Sequence, residues 1–166
     1  DLANDLGNLA QRSLSMIGKA FGGRLPEPGE LTAADKTLLA AADAMVDAAR
    51  AHMKTQALHQ ILNTVWAVVA DANRYFASEE PWAKAKTDPQ RQGTVLYVTA
   101  EVLRQVAILA QPFVPSSAAT MLDLLAVPED ERDFAQLGSG KRIKAGVTLP
   151  PPKPVFPRYV EPEEKG

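Results

Sequence analysis

The 166-residue chain contains no cysteine, which removes disulfide frameworks and thiolate zinc sites from consideration and fits a reducing compartment. Histidine is nearly as scarce. His52 and His59 are the only two, and neither sits in a Cys or carboxylate pattern that would ligate a metal; both read as surface or packing residues, and no metal site is expected. Charge of one sign is not in excess either. A formal net charge of -2 argues against a chain that grips nucleic acid through a broad basic footprint, so any contact of that kind must be local. No run approaches the ~20 apolar residues of a membrane span, and the opening "DLANDLGN" has neither a basic leader nor a small-residue cleavage site. The expected setting is cytoplasmic. Also missing is a phosphate loop: "GSGKRIKAG" at residues 138–146 comes nearest, but lacks the spacing and the hydroxyl after Lys141, and reads as an exposed basic loop. Glu79 and Glu80 are adjacent in sequence, which does not aim them at one substrate, and no catalytic set is found.

What remains, 46% hydrophobic and 23% charged residues, suffices for one self-contained core. Helical periodicity dominates and strand alternation is nearly absent. Leu2, Leu6, Leu9, Met16 and Ile17 share one face of a first helix, with Asn4, Asn8 and Arg12 opposite; Gly22 and Gly23 stop it near Phe21, and Pro26, Pro28 and Gly29 extend the break. Thr32 and Asp35 form a capping-box pattern opening an Ala-rich helix with Leu38, Leu39, Met45, Val46 and Met53 on its apolar side. Thr55 is the expected cap of a third helix that buries Leu58, Ile61, Leu62, Val65, Val69 and Phe76 until Pro81 halts it, leaving Trp82 just past its end. Asp88 and Pro89 start a fourth helix through Val95, Val98, Val102, Val106 and Leu109 to Pro112, and Ser116 starts a shorter fifth through Met121 to Leu125. The acidic "EDERDF" adds a turn or two, and the proline-rich tail runs extended with Val155 and Phe156 as anchors. The expected fold is therefore all-α: an antiparallel bundle of about five helices over residues 1–127, wrapped by a C-terminal arm over 128–166. Because the first residue is Asp1 and a helix starts at once, the chain reads as part of something longer.

Chemistry concentrates in two strings. Asn8 and Arg12 in "NLAQR" are an i, i+4 pair on a face that the apolar side does not need, and Trp82 in "ANRYFASEEPW" is an indole beside a proline. Together an amide, a guanidinium and a planar indole can make a cleft for an unpaired base, the way single-stranded RNA loops are recognised. The competing reading of each is plainer: a solvated Asn, an Arg paired with a carboxylate such as Asp5, and a core Trp like Trp66.

The strings also resemble a known family. "DLANDLGNLAQR" from Asp1, "ANRYFASEEPWAKAK" from Ala72, "LAQPFVPSSAATMLDLL" from Leu109 and "PVFPR" from Pro154 resemble the C-terminal anticodon-binding domain of bacterial methionyl-tRNA synthetases, over nearly the whole chain. The resemblance implies that Asn8 and Arg12 contact the first anticodon base, a cytosine, and that Trp82 stacks on it. Asn73, Tyr75 and Lys84 match the same string and are secondary candidates, for ordering the cleft or touching phosphate. The "HIGH" and "KMSKS" signatures of adenylate formation are absent from the sequence, so the resemblance implies a binding domain without catalytic residues or cofactor. ATP and methionine belong to a catalytic domain of the parent protein. It further implies tRNA with a CAU anticodon and that catalytic domain as partners, no membrane, and a monomeric parent. Two other readings stay open at this level: a helical protein-docking module using Trp82 and the arm, and the anticodon domain of a sister class I synthetase.

Overall fold

A computed structural model describes residues 2–156, and their side chains from residue 4 onward. Asp1, the Leu2 side chain, and Pro157 and Arg158 of "PVFPR" with the rest of the arm lie outside that description. Six helices follow in order: α1 Leu2–Phe21, α2 Ala33–Lys54, α3 Leu58–Glu79, α4 Pro81–Thr87, α5 Pro89–Ala110 and α6 Pro115–Leu124. Four long helices and the shorter α6 are the five that the periodicity predicts, and the seven-residue α4 is an addition. Single turns of 3-10 helix at Glu129–Glu131, Phe134–Gln136 and Ser139–Lys141 follow, the first within the acidic segment and the second starting at its last residue and capped by Asp133.

Local chemistry sets most of these boundaries. Gly22 and Gly23 end α1 at φ 61° and 79°, a left-handed exit in which the Gly23 N–H reaches back to the Ile17 carbonyl. Thr32 and Asp35 form the expected capping box, each side chain accepting from the other's backbone N–H at 3.3 and 3.0 Å. Thr55 does not start α3. Its hydroxyl donates to the His52 carbonyl and the N–H of Gln56, which follows it, to the Met53 carbonyl at 3.1 Å, so Thr55 closes α2 instead, while Ala57 begins α3 without a side-chain bond. A threonine at a junction fits either end, and only the geometry decides. Asp88 caps α5 by accepting from the Arg91 N–H at 3.1 Å, and Pro115, one residue before the expected start, opens α6.

The axis of the bundle is α5, which is buried without interruption from Gln92 to Ala110 and packs against α1, α2, α3, α4 and α6. It is the one helix among the described residues long and apolar enough to span a membrane, yet its apolar window is wholly buried in protein, as suits a core helix. Leu6, Leu9, Leu14 and Ile17 of α1 and Ile61, Val65, Val69 and Phe76 of α3 close on it. Three expected core residues are not there. Met53, in the last turn of α2, and Leu58 are more than half exposed and Trp66 is 43% exposed; Leu58 and Trp66 stand four residues either side of Leu62, itself only half-buried, on the side of α3 that no described helix covers.

After α6 the chain returns along the bundle. Leu25 and residues 146–149 exchange backbone bonds around an antiparallel bridge of Arg24 with Thr148. Val155 is buried as expected, and half-buried Phe156 packs beside Gly7, where a Cβ would come within 3.3 Å of its ring. The "GSGKRIKAG" loop is pinned rather than free. Fully buried Glu101 accepts from Arg104 at 2.7 and 2.9 Å, from Gln105 at 3.1 Å, from Arg142 at 3.3 Å and from the Ile143 N–H at 2.8 Å. Arg142 also forks onto Asp43 at 2.6 and 2.9 Å. Burial opposes ionisation of Asp43, but the bonds from Arg142 and Gln105 outweigh it and hold the carboxyl below its ordinary range.

Candidate nucleic-acid interface

One helical turn separates Asn8 from Arg12 on α1, about 6 Å along the axis, and both are exposed. Across from them α3 ends at Glu79. Glu80 then takes φ 47°, ψ 56°, with its N–H on the Phe76 carbonyl at 3.2 Å, and Pro81 occupies the first position of α4. Trp82 is therefore the second residue of a short helix, not part of a loop. The left-handed turn carries it back over the end of α3, where its ring meets Phe76 at 5.9 Å between centroids, tilted by 50°.

The sequence placed Arg12 and Trp82 seventy residues apart; the fold puts them in contact. The Arg12 guanidinium carbon lies 5.0 Å from the Trp82 ring centroid and 5.1 Å from that of Phe76, a cation–π arrangement over both rings. Such a contact uses no N–H donor, and the Arg12 side chain makes no hydrogen bond to a described residue, so its donors remain available. Trp82 keeps 44% of its surface exposed, whereas Phe76 beneath is buried. Trp82 is thus an exposed shelf on a core aromatic, and Trp66, its supposed core analogue, is itself on the surface. Beside the shelf opens a hollow of about 480 Å³ walled by Arg12, Ser15, Met16, Lys19, Ala20, Trp82, Ala85 and Gln92. Asn8 stands outside those walls, one turn up α1.

The secondary candidates are held by protein groups. Asn73 donates to the Asp5 carbonyl on α1 at 3.3 Å and to Val69 at 3.0 Å, stapling α3 to the helix that carries Asn8 and Arg12. Buried Tyr75 donates to Asp35 at 2.6 Å; burial first, and then that carboxylate, push the phenol above its ordinary pKa. Lys84 donates to the Glu79 carbonyl and lies 3.5 Å from the Glu79 carboxylate, which fastens α4 to the end of α3. Arg91 completes the node, forking onto Asp35 at 2.6 and 2.8 Å and reaching Glu79 at 3.0 Å. Burial works against the Asp35 carboxylate, yet Arg91, Tyr75 and the Thr32 N–H together hold it below its ordinary range; Arg91 is raised in turn, chiefly by its bond to Asp35. These contacts fix the start of α2, the end of α3, α4 and the start of α5 as one frame around the Glu80 turn. Sequence reasoning missed Arg91, Asp35 and Glu79 as the frame and Phe76 as the support of Trp82, because the contacts join residues whose spacing carries no signal.

The arrangement can stack and hydrogen-bond a planar group. No cluster of three or more metal-binding side chains occurs among the described residues. Residues 25–165 match the family described as the anticodon binding domain of methionyl tRNA ligase. The chain belongs to that family. A methionine–tRNA ligase of Brucella suis is 60% identical over 165 residues, 99% of this chain and 32% of its own length, and one of Rhizobium meliloti is 60% identical over 163 residues, 98% and 32%. Among solved structures, the methionyl-tRNA synthetase of Mycobacterium tuberculosis in complex with methionyl-adenylate superposes with a TM-score of 0.92 at 49% identity, over 95% of this chain and 31% of that one. The chain thus spans about a third of the length of these relatives. The family match begins after α1, so Asn8 and Arg12 lie outside it, although the Brucella alignment covers 99% of the chain.

Proposed function

We propose that this anticodon-binding domain selects tRNA bearing a CAU anticodon. Asn8 and Arg12 read the cytosine, Trp82 stacks on it, and a catalytic domain in the rest of the parent uses ATP and methionine to charge the selected tRNA. A monomeric, cytoplasmic parent is part of the same reading. The observation that carries it is the Arg12 guanidinium set 5.0 Å over a Trp82 ring that is still 44% exposed. Cytosine offers a carbonyl and a ring nitrogen as adjacent acceptors, which suits guanidinium and amide donors, and stacking on an aromatic contributes about 1–3 kcal/mol per base. Because the contacts are short-range and directional, they work in a chain of net charge -2.

In the full-length parent, Trp82→Ala and Arg12→Ala are each expected to lower kcat/KM for charging tRNA with a CAU anticodon by about 10- to 100-fold, with methionine-dependent pyrophosphate exchange unchanged. Equal losses in both assays would show that the substitutions damage the whole enzyme and not anticodon selection.

A further inference from the structure

Four large apolar side chains are exposed among the described residues. One is Trp82; the other three, Met53, Leu58 and Trp66, lie toward the other end of α3, where α2 stops. From Leu58 to Ala70 the sequence has no Asp, Glu, Lys or Arg, although Leu58, Gln60, Asn63, Trp66 and Ala67 are all exposed. A helix face that meets only water is ordinarily charged, and apolar side chains with charge depleted around them mark the centre of a protein interface. Leu58, Leu62, Trp66, Val69, Asn73 and Phe76 recur at every third or fourth residue and make one stripe along α3. Helix α1 covers only its second half. Asn73 donates to the Asp5 carbonyl at 3.3 Å, and the Arg12 guanidinium lies 5.1 Å from the Phe76 ring centroid, so the two helices run in the same sense. Leu58 stands about 22 Å before Asn73 along α3, whereas only about 5 Å of α1 precedes Asp5, so the stripe continues past the start of α1 with no described helix upon it.

We infer that Leu58, Leu62 and Trp66 are the docking surface for the part of the parent that leads into α1, which covers them with an apolar segment. The inference goes beyond base selection and takes from the reading above only the longer parent. About two thirds of the length of the Brucella and Rhizobium relatives lies outside this chain. A segment entering α1 arrives beside the uncovered half of a stripe whose other half α1 already occupies, and it can bury that half without desolvating a charge. A second copy of the chain could offer the same apolar contact, but the entering segment is held there covalently, at high effective concentration. Helix α3 then acts as a strut of about 33 Å, docked on the parent at its start and carrying Phe76, the support of Trp82, near its end.

Hydroxyl-radical labelling of the full-length parent without RNA, read by mass spectrometry, tests this. The two tryptophans are a matched pair, at 43% and 44% exposure, so each serves as the control for the other. Trp66 is expected to be oxidised about tenfold more slowly than Trp82, at every protein concentration. Leu58→Glu changes a side chain that is already more than half exposed and puts a charge into the stripe; it is expected to bring Trp66 close to the rate of Trp82, with the thermal unfolding of the parent still cooperative. Equal rates in the unmodified parent overturn the inference, and so does protection that survives Leu58→Glu. Protection that fades on dilution assigns the surface to a second copy instead, and protection lost when the parent is ended at Phe156 assigns it to the arm; either result overturns the docking proposed here. None of these readouts depends on which base is selected, so a missing CAU preference would overturn the functional reading and leave this one standing.

Discussion

Phe76 does two jobs with one ring. It is buried in the core of α3 and also supports Trp82 and the Arg12 guanidinium from below. Phe76→Ala is expected to cost about 3–5 kcal/mol in urea unfolding. Trp66→Ala, with 43% of the indole already in water, should cost a small fraction of that, which inverts the ranking that residue size suggests. Equal losses would mean that Trp66 is packed as a core residue. At this scale the sequence was legible where composition decides. Asn8, Arg12 and Trp82 stood out as an amide, a cation and an indole, and the resemblance joined them. Their support was not legible: Phe76 fitted the helical period as an ordinary core residue, and nothing in a one-dimensional pattern says which surface ring rests on it.

Among the elements, the frame around Asp35 and Arg91 sets the angle between α3 and α4, and with it the position of the shelf. The folded-state carboxyl of Asp35 lies below its unfolded value, so the frame contributes stability above the unfolded pKa of about 3.9 and loses it as pH falls through the lower folded value. Asp43 is depressed in the same direction. Stability is therefore expected to be flat near neutrality and to fall below about pH 4, and Asp35→Asn should make that acid limb shallower without abolishing it. The same substitution at pH 7 should cost about 3–5 kcal/mol, since it leaves Arg91 without the fork of a fully buried partner. A denaturant series from pH 2.5 to 7 checks both statements. Boundaries marked by glycine, proline or a capping pair were readable, as at Gly22, Thr32 and Asp88. Those without such punctuation were not. Thr55 suited two helix ends equally, Glu80 adopts a left-handed turn with no glycine to announce it, and the row of Leu58, half-buried Leu62 and Trp66 has core periodicity on a side that no described helix covers.

For the molecule as a whole, α5 is the common neighbour and Glu101 is its fastening point. One buried carboxylate ties α5 to Arg104, Gln105, Arg142 and the Ile143 backbone, so the returning segment is tied to the middle of the bundle. Glu101→Ala is expected to speed amide exchange in residues 137–149 by more than tenfold, with α1 and α3 much less affected. A uniform increase throughout the chain would mean that Glu101 only sets global stability. The all-α architecture was readable because periodicity of 3.6 ran through nearly every segment. The clasp was hidden in what looked like an exposed basic loop, since the arginine and the buried carboxylate that captures it are 41 residues apart.

The turn at Glu80 has an entropic consequence. A glycine there would adopt its left-handed angles freely and would let the following helix sample many directions, each to be surrendered when RNA arrives. Glutamate followed by proline has few alternatives, and ion pairs from Glu79 to Arg91 and Lys84 remove more. The indole thus loses its orientational freedom when the chain folds, and a ligand meets a surface already aimed.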